Sequence, residues 1–496
     1  MEFEITNGVL IRYHGNGGAV TIPDGVKEIG GYYDPLDNDL WCGAFDGCTN
    51  VTSVAIPPSV KKISRYAFQG CTNLVSVNIP NGVKKIENYL FCDCESLASV
   101  NLPKGITKIG EFAFHGCTKL SHIEIPSAVT SIGECAFADC ESLCSVELPP
   151  RLTKIASSLF SGCSTLSAVS LPETVTKIGD FAFEGCSSLF EICFPSSLKE
   201  IGVQAFFNCE HLTCIAIPKH VKKMEGNPFE GCSSLAKITV DKENPVYHAA
   251  NECLIHTAKK ELISGCKSSV IPDDGSVTSI GHRAFAGCAE LKEIHIPIPV
   301  VDIGVYVFFN CPALVSISVD KDNPVYRSEG NCLIKTNEKE LISGCQTSVI
   351  PDHKGVTKIA TCAFSYCTEI VSLAIPDRIT RIESGAFLEC KALQSITLPK
   401  KLKKISEMVF CMCERLHDIY LPDGVTHIGS SAFSNCQRLV TIRIPSSVKK
   451  IDIAAFLECP NLKEVYFAGS KKEWNAIDKE KDCLPAGTKI HFEYYS

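Results

Sequence analysis

A short motif, Ala-Phe-x-x-Cys or a close variant of it, recurs sixteen times and constrains this sequence more than any other feature. Most intervals between copies are 23 residues. The repeated aromatic residues are Phe45, Phe68, Phe91, Phe114, Phe137, Phe160, Phe183, Phe206, Phe229, Phe285, Phe308, Phe364, Phe387, Phe410, Phe433 and Phe456, each followed three positions later by Cys. A single unit of this length cannot bury its own apolar side chains, so neighbouring units must stack. The repeat therefore predicts a solenoid.

The order of residues within one repeat predicts how each coil is built. Val77 and Ile79 alternate with polar residues, as in a short strand, and Pro80 ends that strand because proline cannot donate to a sheet ladder. Val83 and Ile86 begin a second short segment, and the following Phe fills the interior from a tight helical or 3₁₀ turn. We predict an arc of about 18 coils, sixteen with the Phe and two without, made mostly of short parallel strands.

Three segments depart from the 23-residue rhythm. Residues 240–271 and 319–350 lie in intervals of 56 residues and match each other closely, with Asn-Pro-Val-Tyr, Cys-Leu-Ile and Glu-Leu-Ile-Ser-Gly-Cys in each. We read each as a longer coil from which the Cys-Leu-Ile and Glu-Leu-Ile runs protrude as a hairpin. An insertion of 11 residues near Gly30 to Leu40 should bulge from the first coil.

Both ends of the repeat array carry sequences suited to caps, which solenoids need because an open last coil exposes core and strand edge. Asn7-Gly8 lies between apolar residues and predicts a tight hairpin. An amphipathic stretch with Trp474 and a last strand near Lys489 to Tyr494 follow the final repeat. The predicted divisions are a hairpin cap over 1–22, the solenoid over 23–467 and a C-terminal cap over 468–496.

Charge and hydropathy exclude several classes of partner. A net charge of -8 gives no reason to expect nucleic acid or an anionic membrane surface. The most apolar window, Ile294 to Phe309, is interrupted by His295, Pro297 and Asp302, so membrane insertion is not expected. The first residues lack the basic start and apolar core of a secretory signal, and we expect a cytoplasmic location on that ground.

The 29 cysteines are interpreted as free thiols packed in the core, because the count is odd and sixteen of them share one repeat position. Disulfides and metal binding remain alternatives. The pairs Cys92–Cys94 and Cys411–Cys413 have a spacing seen in metal sites. The second Cys of each pair, however, is one of the sixteen repeated cysteines, which we call the ladder cysteines. Cys193 and Cys214 should face outward from neighbouring strands and are weak redox candidates.

No motif for catalysis is present in the sequence: it has no phosphate-binding glycine loop, no His-Glu-x-x-His pair and no Gly-x-Ser-x-Gly elbow. The thirteen histidines are scattered over different repeat positions and are read as surface residues. We therefore expect a non-enzymatic protein with no cofactor and no metal. A basic stripe is read as a solvated face rather than a polyanion site; it comprises Lys62, Lys85, Lys108, Lys154, Lys177, Lys223, Lys358, Arg381, Lys404 and Lys450.

Most outward positions of the strand surface carry small or neutral side chains, but those of the final coils carry large ones. Tyr420, Arg443 and Tyr466 occupy this row in successive repeats, with Asp418 and Glu464 in the parallel row. Tyr and Arg are favoured at binding hot spots, and the two acids should orient the Arg when no partner is bound. We predict that these five residues form a partner-binding patch, with ordinary exposed surface as the alternative.

The complete repeat, L-x-x-[IV]-x-[IL]-P-x-x-[VL]-x-x-I-x-x-x-A-F-x-x-C, resembles that of the BspA-type leucine-rich repeat proteins. The Asn-Pro-Val-Tyr inserts and the tail from Gly469 to Ile477 resemble that family too. The resemblance implies a right-handed, curved superhelix and adhesion-type binding, commonly at the surface of bacteria and protists. The Ala before Phe is replaced in five copies, by Leu90, Leu159, Pro228, Val307 and Val409.

Together these observations predict a recognition or adhesion scaffold, with a protein or an extracellular-matrix-like macromolecule as its partner. The alternative is a thiol-based redox or metal-binding protein that uses its surface cysteines. We expect a monomer that binds no nucleic acid. The resemblance implies a cell-surface or secreted location, in contrast to the cytoplasmic one expected from the first residues.

Overall fold

The computed structural model describes residues 2–34, 40–480 and 483–494, and the chain divides into two compact units, Met1–Lys259 and Lys260–Ser496. Each unit is a solenoid of short, mostly parallel strands, which confirms the predicted repeat architecture. The two units contain about 21 coils, compared with the 18 expected from the Phe motif and the two inserts.

The strands of the first unit mostly pair with the equivalent strand of the next coil. In chain order they are β1 (Phe3–Thr6), β2 (Val9–Tyr13), β3 (Gly18–Thr21), β4 (Glu28–Ile29), β5 (Gly31–Asp34), β6 (Leu40–Gly43), β7 (Val51–Ala55), β8 (Lys62–Ile63), β9 (Ser76–Asn78), β10 (Lys85–Ile86), β11 (Ser99–Asn101), β12 (Lys108–Ile109), β13 (Ser131–Ile132), β14 (Ser145–Glu147), β15 (Lys154–Ile155), β16 (Ala168–Ser170), β17 (Lys177–Ile178), β18 (Glu200–Ile201), β19 (Cys214–Ile217), β20 (Lys223–Met224), β21 (Lys237–Val240), β22 (Tyr247–Ala250) and β23 (Cys253–His256).

The second unit repeats this arrangement and ends with a short helix and one further strand. Its elements are β24 (Glu261–Ser264), β25 (Ser279–Ile280), β26 (Glu293–Ile296), β27 (Asp302–Ile303), β28 (Ser316–Val319), β29 (Tyr326–Glu329), β30 (Cys332–Lys335), β31 (Glu340–Ser343), β32 (Lys358–Ile359), β33 (Ser372–Ala374), β34 (Arg381–Ile382), β35 (Ser395–Thr397), β36 (Lys404–Ile405), β37 (Asp418–Tyr420), β38 (His427–Ile428), β39 (Thr441–Ile444), β40 (Lys450–Ile451), β41 (Glu464–Phe467), α1 (Lys471–Ala476) and β42 (Lys489–His491).

Two ladders of parallel strands enclose the core of each coil. On one side β9 pairs with β11 so that Val77 lies beside Val100, and on the other β10 pairs with β12 so that Ile86 lies beside Ile109. These four residues are buried, whereas their neighbours Ser and Lys are exposed. The alternation follows from the two-residue period of a strand, and it fixes which side chains every coil presents to solvent.

The repeated Phe residues form a stack along the core of each unit. From Phe45 to Phe229 the ring centroids of successive Phe residues lie 5.1 to 5.9 Å apart. A second stack runs from Phe364 to Phe456. Stacked aromatic pairs stabilise by about 0.5–1.5 kcal/mol beyond the area they bury, so the stack couples each coil to the next.

The turn that carries each Phe differs from the helical or 3₁₀ turn expected. Phe112 and Gly116, two residues before and two after Phe114, both have positive φ (53° and 69°). A residue in the left-handed region ends a right-handed helical run, so the segment folds as consecutive tight turns. The Phe114 N–H donates instead to the carbonyl of Ala136 in the next coil, at 2.9 Å. Among the described residues α1 is the only α-helix.

The ladder cysteines form hydrogen bonds as well as filling space. In thirteen coils the thiol donates to the carbonyl oxygen of the Phe in the preceding coil, for example from Cys140 to Phe114 at 3.2 Å. The thiol is a weak donor, but it is the smallest apolar side chain that can satisfy this acceptor. No disulfide joins the cysteines of the described residues.

The two longer coils contain hairpins, but these do not protrude. Cys332, Leu333 and Ile334 of β30 have no exposed surface, and β30 pairs antiparallel with both β29 and β31. The equivalent residues Cys253–Ile255 are equally buried. The expectation of a protruding hairpin is wrong because these apolar runs supply the core of the coil, in place of the missing Phe.

The Asn-Pro-Val-Tyr sequence ties each longer coil to the one before it. The Asn323 side-chain amide donates to the carbonyls of Pro297 (3.0 Å) and Val300 (2.9 Å). The hydroxyl of Tyr326, itself 2% exposed, accepts the N–H of Ile303 at 3.0 Å. In the first unit Tyr247 and Met224 make the same contact at 2.9 Å. Tyr247 and Tyr326 are therefore structural residues.

Local structure at the two ends follows the sequence signals. β1 and β2 form an antiparallel hairpin through Asn7 and Gly8, both with positive φ, and Tyr13 stacks on Phe45 at 4.9 Å. At the other end Trp474 of α1 packs against Phe467 at 5.3 Å. In the early insertion, β5 and β6 pair antiparallel, and residues 35–39 lie outside the described residues. No helix in the described ranges is long and apolar enough to span a membrane.

Candidate functional site

Three neighbouring strands of the second unit bring the five predicted patch residues onto one face. β37, β39 and β41 pair in parallel, so that Tyr420 lies beside Arg443 and Arg443 beside Tyr466. The acidic residues occupy the parallel row, with Thr441 between Asp418 and Glu464. Ile419, Ile442 and Val465, which alternate with them, are buried. The backbone therefore holds the five side chains in a fixed array without any loop.

Arg443 lies against aromatic rings rather than against the acids. Its guanidinium carbon is 4.1 Å from the ring centroid of Tyr420, 4.8 Å from that of Tyr494 and 5.9 Å from that of Tyr466. Cation–π contacts of this kind stabilise by about 0.5–1 kcal/mol at exposed sites and more where water is excluded. We call Tyr420, Arg443, Tyr466 and Tyr494 the aromatic–arginine cluster.

The two acidic residues have different partners from those expected. Asp418 pairs with Nδ1 of His417 at 2.7 Å, and Glu464 pairs with Nε2 of His491. Within the described part of the chain neither carboxylate lies within ion-pair distance of Arg443. The prediction that these acids orient the Arg is therefore wrong, because the stacked rings hold the guanidinium instead.

Tyr494 and His491 belong to the site but were missed by reasoning from the sequence. β42 pairs in parallel with β41, which places His491 beside Tyr466, with 4.7 Å between stacked rings. Tyr494 packs on the same Tyr466 at 4.9 Å. The sequence indicated a last strand here. Whether its side chains lie beside Tyr466 depends on the direction and register of the strand, and neither can be predicted from one short segment.

The cluster leaves hydrogen-bonding capacity and apolar area available. Tyr420 is 54% exposed, a large value for an aromatic side chain on a strand. The Arg443 side chain makes no hydrogen bond to any described residue, and its Nε is buried. The guanidinium is thus fixed between rings, and its terminal nitrogens have no acceptor among the residues that the structure describes. Such an arrangement can receive a carboxylate or a carbonyl oxygen from a partner.

The basic stripe behaves as a solvated face. Six of its ten members pair with carboxylates, for example Lys62 with Glu28 at 2.7 Å and Arg381 with Glu383 at 2.8 Å. Neighbouring acids neutralise much of the positive charge that a polyanion would require. This favours the solvated-face reading of the stripe.

Most thiols have an environment that opposes reactivity. Burial raises the pKa of Cys163 to about 12, and it raises the pKa of Cys117 and Cys390 well above the ordinary value. The thiolate is the nucleophile, so these residues are inert near neutral pH. Cys193 and Cys214, the redox candidates, are exposed, as is Cys144.

The Cys-x-Cys pairs do not act as chelating pairs. Cys94 is buried and donates its thiol to the carbonyl of Phe68 at 3.1 Å, and Cys413 does the same to Phe387 at 3.2 Å. Cys92 instead lies 3.9 Å from Nδ1 of His115 in the next coil. A histidine expected to be an isolated surface residue therefore meets a thiol, a contact set by register between coils rather than by spacing in the sequence.

Comparisons with known proteins agree with this architecture. The sequence profile of the BspA type leucine rich repeat region matches residues 40–167, 153–264, 257–342 and 335–463. No curated protein matches the chain.

Several solved structures are similar to it. A leucine rich cell surface protein from Faecalibacterium prausnitzii is 26% identical over 97% of this chain and 96% of its own, with a TM-score of 0.36. A leucine-rich repeat protein from Bacteroides ovatus is also 26% identical, over 99% and 97%, with a TM-score of 0.41. The leucine rich repeat protein of T. pallidum is 34% identical over 38% of this chain and 86% of its own, with a TM-score of 0.34.

Proposed function

The chain belongs to the BspA-type leucine-rich repeat family, and from this premise we propose that it is a non-enzymatic recognition scaffold. Its partner is a protein, bound on the strand face of the last coils through the aromatic–arginine cluster. The observation that carries this proposal is the position of Arg443, held at 4.1 and 4.8 Å from two tyrosine rings, with no hydrogen bond to the rest of the described chain.

Preorganisation is the physical reason why this cluster suits binding. Immobilising a long side chain on association costs about 0.5–1.5 kcal/mol. Arg443 has lost most of that freedom already, because Tyr420 and Tyr494 confine it. The rings also supply apolar area and hydroxyl groups for contact with a partner. Because little further ordering is needed, less of the interaction energy is lost to the entropy cost of binding.

The chemistry of the cluster specifies the kind of surface it fits. Asp418 and Glu464 flank it and pair with His417 and His491, so the rim carries carboxylates and imidazoles while the centre carries the guanidinium. A protein surface with an acidic side chain or free carbonyl groups beside an apolar patch complements this arrangement. An extracellular-matrix-like protein is one such partner.

For location we propose the cell surface rather than the cytoplasm. Membership of the family favours this, since its members are commonly surface proteins, as the sequence resemblance implied. Labelling intact cells of the native host with a membrane-impermeant amine reagent tests it. The protein should be labelled together with known surface proteins, and labelling only after lysis would contradict the proposal.

The rival function, redox chemistry by surface thiols, has a narrow structural basis. It rests only on the exposure of Cys144, Cys193 and Cys214, and we do not propose this function.

Site-specific photo-crosslinking tests the recognition face directly. A photoreactive phenylalanine analogue in place of Tyr420 should form an adduct with a protein of the native environment upon irradiation. The matched control carries the analogue in place of Leu457, which is 55% exposed on the turn side of the last Phe coil. Adducts from Tyr420 alone support the proposal; equal adducts from both positions, or none from Tyr420, contradict it.

A further inference from the structure

Four side chains of the first unit meet where the Phe-bearing turns of three coils lie side by side. Cys92 and His115 each directly follow a stacked Phe in adjacent coils. Asp93 follows Cys92, and Asp139 holds the equivalent position two coils further on. The repeat brings these residues together because every coil places the same position at the same point of the turn.

We infer that Cys92, Asp93 and His115 form a binding site for a divalent transition-metal ion of the zinc type, with Asp139 supporting the histidine. Thiolate, imidazole and carboxylate are the ligands that zinc uses in proteins. The three ligand atoms all lie within 4.8 Å of one another. This inference is independent of the recognition face, which lies in the other unit.

The distances between the ligand groups lie close to the edges of a zinc tetrahedron. Zinc–ligand bonds of about 2.0–2.3 Å at tetrahedral angles place neighbouring ligand atoms roughly 3.3–3.6 Å apart. The two Asp93 oxygens are used by different neighbours: Oδ2 lies 3.3 Å from Cys92 Sγ, and Oδ1 lies 3.5 Å from His115 Nδ1. Cys92 Sγ and His115 Nδ1 are 3.9 Å apart, slightly more than a tetrahedral edge. An ion could therefore be accommodated by small side-chain rotations, with water as the fourth ligand.

The second nitrogen of the histidine supplies the supporting contact that metal sites commonly contain. His115 Nε2 lies 3.3 Å from Asp139 Oδ2. A metal-bound histidine usually donates its other N–H to a carboxylate, which fixes the tautomer and the ring orientation. Here Asp139 would leave Nδ1 unprotonated and directed towards Cys92 and Asp93.

Backbone geometry and charge also suit an ion. Asp93 and Asp139 adopt positive φ (58° and 56°) at a position that is Gly in many coils, including Gly116 between them. A Cβ at Gly116 would lie 2.6 Å from Asp93 Oδ1, so the glycine leaves the space that this carboxylate occupies. On binding, the Cys92 proton passes to solvent, and the thiolate and the Asp93 carboxylate together balance the two charges of the ion.

Cobalt titration of the full-length, chelator-treated protein tests the site, because Co²⁺ replaces zinc and a cobalt–thiolate bond gives a near-ultraviolet charge-transfer band. We expect one Co²⁺ per chain with this band, displaced by Zn²⁺. Cys92→Ser should abolish the band, and His115→Gln should weaken binding at least tenfold. Asp139→Asn should weaken it about 10–100-fold, as is usual for a residue that supports a metal ligand.

The matched control is Cys411→Ser. Cys411 holds the same position in its own repeat, but Ser434 and Met412 replace the histidine and the aspartate there, so this variant should bind cobalt as the wild type does. Circular dichroism checks that each variant folds. If Cys92→Ser fails to fold, His115→Gln still tests the site, because His115 is partly exposed and its replacement should not disturb folding. Absence of the band in the wild type, or its persistence in His115→Gln and Cys92→Ser, would overturn the inference.

Discussion

The thiol of Cys117 donates a hydrogen bond to the carbonyl oxygen of Phe91 in the preceding coil, at 3.2 Å. The same bond recurs between the same two repeat positions in thirteen coils, and it links the Phe turn of one coil to that of the next. It explains why a small apolar residue with a donor recurs at this position, where Ala would fill part of the space and leave one lone pair of the carbonyl without a partner.

Replacing this thiol should therefore destabilise the solenoid. We expect Cys117→Ala to lower the free energy of unfolding by about 1–2 kcal/mol, from the lost hydrogen bond and the small cavity together. Urea denaturation under reducing conditions measures the change. The control is Cys144→Ala, at an exposed cysteine, which should change stability by less than about 0.5 kcal/mol. Equal effects would show that the ladder bond contributes nothing.

Alkaline pH should destabilise the protein through the buried thiols. Burial raises the folded-state pKa of Cys163 from 9.0 to about 12, so above pH 9 the unfolded chain loses a proton that the folded chain keeps. The stability due to this group is full below pH 9 and falls as pH rises towards 12. Each pH unit in that window removes about 1.4 kcal/mol.

Cys163→Ala isolates this effect. Between pH 8 and pH 10 its free energy of unfolding should fall by about 1.4 kcal/mol less than that of the wild type. Urea denaturation at the two pH values provides the comparison. If the free energy of unfolding falls equally in the two proteins between pH 8 and pH 10, Cys163 has the same pKa in the folded and unfolded states.

The Phe stack should carry much of the stability of each unit. Phe137 packs between Phe114 and Phe160, at 5.4 and 5.9 Å, and is fully buried. We expect Phe137→Ala to cost about 3–5 kcal/mol. Thermal and urea unfolding test this against Phe190→Ala, where the ring is 57% exposed and the cost should be small. Similar costs at the two positions would contradict the stacked core.

The longer coil of the second unit should depend on one tyrosine hydroxyl. Tyr326→Phe removes the acceptor of the Ile303 N–H, and leaving such a group unpaired costs about 1–3 kcal/mol. Tyr420→Phe, on the exposed face, provides the control and should leave stability unchanged. If both variants unfold at the same urea concentration, this contact does not hold the coil.

The repeat allowed much of the fold to be predicted because each of its positions has one environment. The inward set, such as Val77, Ile79 and Phe91, and the outward lysines could be assigned from a single coil. Buried and exposed hairpins have the same local sequence, however, so Leu333 and Ile334 were read as protruding when they fill the core. Burial there depends on the absence of a Phe from the same coil, which is a non-local property.

The sequence predicted that the residues of the candidate site lie side by side on neighbouring strands, but it did not predict which side chains contact each other. Tyr420, Arg443 and Tyr466 follow from the 23-residue offset, whereas the contribution of Tyr494 depends on how β42 pairs. The pairing of the acids with His417 and His491 likewise depends on rotamers. His115 shows the same limit, since its contacts with Cys92 and Asp139 arise between coils.

The affinity of a triple variant for the crosslinked partner tests the recognition face most directly. Tyr420→Ala/Arg443→Ala/Tyr466→Ala should bind about 1,000-fold more weakly than the wild type, because two hot spots at about 2 kcal/mol each together cost about 4 kcal/mol of binding free energy. Its stability should change little, and the control Ile453→Ala/Leu457→Ala, at exposed residues elsewhere in the unit, should bind normally. Wild-type affinity in the triple variant would contradict the proposed site.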